Sequence, residues 1–556
     1  MKRQPCVPHG CVRTFLSIAG PLAMLALSAN VWAANDLATL DPSGATTFNT
    51  RWVGHNDLQG RTTYQTTVHT YPNGRVVAFA GHFNGKMLNP MTGVVETNGT
   101  SIVDVTNPSR PVYLKHLVAD KGGARMNMLC DGSALPHGVS GHVYLLRENG
   151  AVQHEVWDVT DPANPVLKSI PVSGLNVTHR SWWDCRTGIG YIVGGATQAG
   201  GDGWNPGSSP NQHLKIYDLS DPGNPKYIMD FGYPGQNPGS SFVMPGTENT
   251  TRVVPPGVHG PIVVSTFNGN AVAGGKAINR LYMPYGVGSD GILQIDDLTK
   301  VLPPTTAAGQ AYVGSGTGHY ANPARPTDAE LLQGQIGVLY MPGVEGGHSA
   351  YPYYQIKLDE YANFTNNNVR DIMAVSSEET DNRCTGSPHL LYLLDITAAI
   401  GQGGSSSAEQ HPWPIATVTV DDFSGRPNFC SRGTRFGVHS MNENFNDPYY
   451  GKLMVSAWFD AGIRVTDIRD PYHPHEVAYF IPPINSFTQP SSAVIDGVTY
   501  TSLDVSCDNT YVDNDGLLYC GDRVGGGLDV VQLTGKAAQI VPVHNRRNRA
   551  GGRDDD

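Results

Sequence analysis

Four histidines sit in short polar contexts where an imidazole is free to do chemistry. They are Val177-Thr178-His179-Arg180, Gly257-Val258-His259-Gly260, Gly346-Gly347-His348-Ser349 and Gly437-Val438-His439-Ser440. Neutral imidazole binds iron, copper, zinc and nickel, so His179, His259, His348 and His439 held at one point would make a centre for one transition metal ion. Iron and copper are the leading candidates and zinc the third. The fourth context belongs to the longest polar stretch, Asn428 to Glu443, which also carries Cys430, Arg432, Arg435 and Glu443. Glu443 is the candidate for proton relay, and Arg435 for holding an anionic group of a substrate. Metal-bound histidines usually donate their second N–H to a carboxylate or carbonyl. Glu443, Asp184 and Glu345 each lie within a few residues of one of the histidines. His55, in Gly54-His55-Asn56-Asp57, is a candidate fifth member.

Residues so far apart in the chain meet only if a repeat brings them together. One is visible: an alternating apolar strand, an aspartate and a proline turn. The clearest copies are Ser101-Ile102-Val103-Asp104-Val105-Thr106-Asn107-Pro108, Val156-Trp157-Asp158-Val159-Thr160-Asp161-Pro162, Ile216-Tyr217-Asp218-Leu219-Ser220-Asp221-Pro222 and Val465-Thr466-Asp467-Ile468-Arg469-Asp470-Pro471. Weaker copies centre on Asp296, Asp395 and Gln532. Alternating Ile, Val, Leu and Tyr suit half-buried strands. The Asx side chain caps a turn there, and proline gives no N–H to a ladder. Three or four strands per unit, repeated seven times, cannot each bury a face alone; arranged radially they bury faces against neighbours. The expected fold is therefore all-β, a seven-bladed β-propeller over residues 34–540, with the N-terminal segment supplying a closing strand. Each histidine precedes one aspartate mark, so the four would recur around an axis.

The strand–Asp–Val–(Ser/Thr)–Asp–Pro–x–x–Pro unit resembles the LVIVD repeat of exported β-propeller proteins, over about residues 50–535. The second, third and sixth copies carry the resemblance, and the fourth, fifth and seventh depart from it. It implies the seven-bladed fold and says little about function, which a fold does not settle. Two propeller families offer analogies of architecture. Carotenoid-cleaving oxygenases hold iron with four histidines from different blades, and selenium-binding-type thiol oxidases hold copper.

The chain has 19 histidines, and several, such as His213, His389 and His473, fall elsewhere in the repeat. Axial histidines also serve in a metal-free polar pocket, or simply hydrogen-bond backbone and water. The expected function is that of an exported metal-dependent enzyme, an oxidoreductase acting on a small-molecule substrate. The alternatives are a non-catalytic propeller that binds a protein or glycan, and a glycan lyase with a histidine or tyrosine base. No GxSxG, Walker loop, HExxH or dinucleotide fingerprint is present.

A formal net charge of −12 argues against nucleic acid or an anionic membrane surface as partner. Residues 1–33 have the pattern of a signal peptide: Lys2, Arg3 and Arg13, then an apolar run from Phe15 to Ala29, then Val31-Trp32-Ala33 as the cleavage site. No later stretch is long and apolar enough to span a bilayer. The expected location is periplasmic or secreted. Six cysteines follow the leader, and an even number in an oxidising compartment favours disulfides. Spacing does not set their connectivity; the expected pairs are Cys130–Cys185, Cys384–Cys430 and Cys507–Cys520. The long interval between Asp296 and Asp395 is expected to hold an insertion with a short helix near 323–332. Residues 541–556 are expected to be a disordered tail.

Overall fold

The aspartate marks act as turn caps. Asp104, Asp158, Asp218, Asp395 and Asp467 each accept the backbone N–H two residues on, at 2.8–3.0 Å. Asn107, Asp161, Asp221 and Asp470 repeat the device in the following turn, at 2.9–3.2 Å. An Asx side chain that mimics a backbone turn holds the chain at its reversal. In the fourth copy Asp297, not Asp296, does this, accepting from Thr299 at 3.0 Å. Asp297 pairs with Arg280 as Asp218 pairs with Ile189, so the register of the repeat passes through Asp297.

The structure is a computed structural model. It describes residues 39–40 and 44–543 apart from 197–201, 205–211, 245–254, 267–277, 287–290, 307–314, 342–344, 359–368, 379–389, 399–407, 421–428, 430–434 and 496–497. Residues 1–33, Arg432, Cys384 and Cys430 with their expected pairing, and tail residues 544–556 lie outside it.

The described chain is all-β, in antiparallel sheets with sequential strands as neighbours. The first sheet holds Thr63–Thr70, Val76–His82, Gly99–Asp104 and Val112–Val118. The second holds Asn127–Asp131, Val143–Asn149, Gln153–Asp158 and Val166–Ser173. The third runs from Val177–Thr178 to Lys226–Phe231, the fourth from Ile262–Val264 to Gln335–Tyr340, and the fifth from Ser349–Lys357 to Trp413–Val418. A ten-stranded sheet and two two-stranded ones, Lys86–Asn89 with Val94–Thr97 and Ser491–Ile495 with Val498–Ser502, make up the rest. Half of the ten-stranded sheet contains Phe436–Met441 to His475–Ile481, and half contains Cys507–Val512 to Leu528–Leu533. A single residue pair, Phe459 with Cys507, links the halves.

The N-terminal segment is shared between these halves. Thr46–Phe48 pairs with His475–Ile481, and Thr50–Asn56 pairs with Leu528–Leu533. Early chain is thereby stitched to late chain. His55 lies on this added edge strand with its Nδ1 at 2.8 Å from Asp529, so the structure removes it from the histidine group. The apolar clusters lie between consecutive sheets. Phe79 and Ile102 pack with Val143 and Leu145, and Tyr144 and Leu146 with Trp183 and Leu219. The series returns to its start where Leu517, Tyr519 and Val530 pack with Val76, Ala78 and Val103.

Disulfides join Cys130 to Cys185 and Cys507 to Cys520, as expected. The insertion carries the helix Asp328–Leu332, begun by a capping box between Thr327 and Glu330. Among the described residues no helix is long and apolar enough to cross a membrane.

Asp522 ends the strand Leu517–Asp522 with its side chain buried. Burial pushes its carboxyl up to about 8, against the N–H groups of Val524 and Ser506 that favour the anion. The folded protein therefore holds a proton there that the unfolded chain releases near the ordinary 3.8. Stability from this group is present at low pH and is lost as pH rises through that window. Asp522→Asn should unfold at higher denaturant than the parent at about pH 9 and lose that advantage towards about pH 4. Urea midpoints across that range check it; a constant difference would remove Asp522 as the cause.

Candidate metal centre

First strands of neighbouring sheets approach one another, and the four histidines lie in or just beside them. The backbone N–H groups of His179, His259 and His348 donate to Val193, Pro284 and Ser376, each near the far end of its sheet's second strand. His439 lies within Phe436–Met441 near the end of Leu453–Phe459. The structure brings all four rings together. Centroids are 3.8 Å apart for His179 and His259, 3.7 Å for His259 and His348, and 4.3 Å for His348 and His439. The same level of the remaining sheets supplies Tyr64, Arg125 and Asp508. Tyr64 lies edge-on to His179 and His439, with ring centroids 5.6 and 5.4 Å away. Arg125 donates to the Thr178 carbonyl at 2.6 Å, and His439 Nδ1 donates to the Asp508 carbonyl.

Glu378, which the sequence reading passed over, stands at the centre. Its carboxylate is 3.1 Å from His348 Nε2, 3.6 Å from His439 Nε2 and 3.7 Å from His259 Nε2. Arg435 Nη1 holds the same carboxylate at 3.0 Å. Glu378 follows the strand Val369–Ser376 in the left-handed region, at φ 42°, which non-glycine residues rarely adopt. In the next sheet the last residue of the second strand, Phe459, has φ 43° and its ring lies 5.0 Å from His439. Strained backbone of this kind clusters at functional sites. A glutamate after a strand in Ser376-Ser377-Glu378 has no distinguishing signature, because strand ends commonly carry solvated acids. A glutamate one sheet along from two of the histidines becomes visible only once the ring is closed.

The electrostatics are those of a desolvated centre. Burial holds all four imidazoles well below their ordinary range, reinforced by the cations of Arg180, Arg435, Arg523 or Arg125 and by the other histidines. They are neutral and keep a lone pair. Burial pushes Glu378 up to about 7, against the pull of Arg435 and Arg523. Buried polar atoms nearly always find partners, yet His439 Nε2 and His259 Nδ1 have no hydrogen bond, and His348 is helped only by the His439 backbone. His259, His348 and Glu378 alone already bring their ligand atoms within 4.8 Å of one another. His179 differs, since its Nδ1 accepts the N–H of Arg180 at 2.8 Å. That bond puts the proton of the neutral ring on Nε2.

The other candidates are placed one step away. Glu443 meets Arg180, not an imidazole, and takes the Ser349 hydroxyl at 3.4 Å. Asp184 accepts from Thr187 at 2.8 Å, and Glu345 is buried with its carbonyl on the N–H of Gly291. A second acidic grouping, Asp202, His213 and Asp230, already contains its cation: Lys215 Nζ lies 2.9 and 3.0 Å from the two carboxylates.

No family model matches the chain, and no curated protein matches it. Among solved structures it is similar to Raptor from Chaetomium thermophilum, at 10% identity and a TM-score of 0.45 over 88% of this chain and 30% of that one. It is also similar to Sqt1 from the same organism bound to the N-terminus of ribosomal protein L10, at 11% identity and a TM-score of 0.41 over 87% of this chain and 100% of that one. Sqt1 alone gives 10% identity and a TM-score of 0.40 over 88% and 99%. Likenesses at this level carry no argument about function.

In metal-free protein, histidine-selective nitrogen NMR should find His439 protonated on Nδ1 and His179 on Nε2. All four rings should stay neutral at a pH where a free imidazole is already charged. An imidazolium signal from this group at about pH 6 would contradict the desolvated centre.

Proposed function

We propose that the protein is an exported, metal-dependent enzyme whose sheets are the seven blades of a β-propeller with a transition metal ion on its axis. The closed series of inter-sheet cores supports the propeller. The disulfides suit an oxidising compartment. The observation that carries the metal reading is the convergence of His259, His348 and His439 on Glu378, with buried imidazole nitrogens left without hydrogen bonds. Leaving such groups unpaired costs about 1–3 kcal/mol each, which a bound cation offsets. Three neutral imidazoles and one carboxylate fit iron, copper or zinc. His259, His348, His439 and Glu378 would hold the ion, with His179 beside them.

A bound ion of this class supplies Lewis acidity, or a redox couple where the metal has one. The chain's own residues set what reaches it. Arg435 fixes the Glu378 carboxylate while about a quarter of its own side chain (26%) stays exposed, so it can meet an anionic group of a small organic substrate. The Asp508 carbonyl orients His439 and fixes its tautomer, the usual support of a metal-bound imidazole. An oxidoreductase acting on such a substrate is the activity this arrangement best suits.

Elemental analysis of protein purified without a histidine tag tests the reading. Near-stoichiometric metal is expected, lost in His259→Ala, His348→Ala and His439→Ala with the fold intact and retained in His179→Ala. Less than about 0.2 equivalents of any transition metal, with no uptake on reconstitution, would overturn it. Retention by all three alanine variants would reject these ligands.

A further inference from the structure

The ten-stranded sheet brings two guanidiniums to one place beside Glu378. Its halves meet at the pair Phe459 with Cys507. On one side of that link the Arg435 carbonyl accepts the N–H of Asp460, the residue after Phe459, at 3.2 Å. On the other side the N–H of Arg523 donates to the carbonyl of Ser506, the residue before Cys507, at 2.8 Å. The two arginines thus flank the link, and their charges reach the same groups. Burial raises the Glu378 carboxyl, and Arg435 and Arg523 are the cations that most oppose it. After burial, Arg523, Arg180 and Arg435 hold His439 low.

Each guanidinium is held by an acid and a ring. Arg435 Nη1 lies 3.0 Å from Glu378, and its guanidinium carbon is 5.7 Å from the centre of the Phe459 ring. Arg523 Nη1 lies 3.0 and 3.3 Å from the two oxygens of Asp508, and its guanidinium carbon is 4.3 Å from the centre of the Phe83 ring. A cation over an aromatic ring is attracted by the ring quadrupole, so ring and acid together restrain each planar group. Both acids are buried, whereas 26% of each arginine side chain is exposed. Among the described residues each of these guanidiniums spends only Nη1 on a protein acceptor. The other two arginines near the histidines are engaged elsewhere: Arg125 takes Glu148 and the Thr178 carbonyl, and Arg180 is buried on Glu443.

Two restrained forks with spare N–H groups, beside a buried centre, select a planar anion with two oxygens. A carboxylate meets guanidinium edges through parallel, charge-assisted hydrogen bonds. Phe83, half-buried beneath Arg523, offers the organic remainder an apolar surface. We propose that Arg435 and Arg523 clamp the carboxylate of a small organic acid between them. Calling that acid the substrate rests on the metal centre proposed above; the clamp itself rests on the two arginines.

Calorimetric titration of the full-length protein with benzoate tests it, with benzyl alcohol and inorganic phosphate as comparisons and metal content measured on every sample. Benzoate should bind at low salt with a Kd of about 1 mM or tighter, and the other two at least about tenfold more weakly. Arg523→Gln should weaken benzoate at least about tenfold with metal content unchanged. Arg523→Lys should restore only part of that loss, because an ammonium keeps the charge without the fork. Arg523→Gln combined with Asp508→Asn removes the acid left unpaired and should show the same loss in a folded protein. Benzoate binding by protein that retains no metal upholds the clamp and removes only the metal reading. No benzoate binding at about 20 mM whatever the metal content, phosphate or benzyl alcohol bound as tightly, or binding unmoved in Arg523→Gln and in the double variant, would overturn the clamp.

Discussion

Among the described residues the larger sheets are apolar on both faces, and no sheet can bury two faces by itself. The cores resolve that constraint by lying between consecutive sheets, so that Leu145 serves one neighbour and Leu146 the other. The last cluster couples Val530 to Val103 and returns the series to its beginning. The strand Thr50–Asn56 completes the arrangement by pairing with Leu528–Leu533. The centre follows from this packing, which brings first strands of neighbouring sheets into contact.

At one level that convergence is costly. Four imidazoles and a glutamate are packed with little access to water beside the half-buried Arg435, and burial lowers the histidines while raising Glu378. A buried polar group is expensive unless it is paired, and a buried charge more so. Backbone at φ 42° for Glu378 adds to the cost. Folding alone has no use for such an arrangement, since apolar side chains on these strands would pack better. The proposed cation would take the lone pairs the protein leaves unmatched.

The sequence carried the repeat plainly, because Asp-Pro and Asn-Pro turns are local chemistry and appear wherever the strand ends. It also carried His179, His259, His348 and His439 as one position, because each falls between consecutive turn caps. It misplaced the cap at Asp296, where the adjacent acids Asp296 and Asp297 differ only in which one the strand buries. His55 read as a ring member because its glycine-flanked context looks like the others, but pairing with Asp529 puts it on the closing edge. Glu443 sits close in sequence to His439 and reaches Arg180 instead, since the chain has left the strand Phe436–Met441 before it. Glu378 was hidden for the converse reason: proximity across sheets has no sequence spacing.

Anomalous diffraction from crystals of the protein with its retained metal tests the central claim most directly. The account predicts one strong peak among His259 Nε2, His348 Nε2, His439 Nε2 and the Glu378 carboxylate. A peak among Asp202, His213 and Asp230, or histidines without a peak in metal-replete crystals, would contradict it.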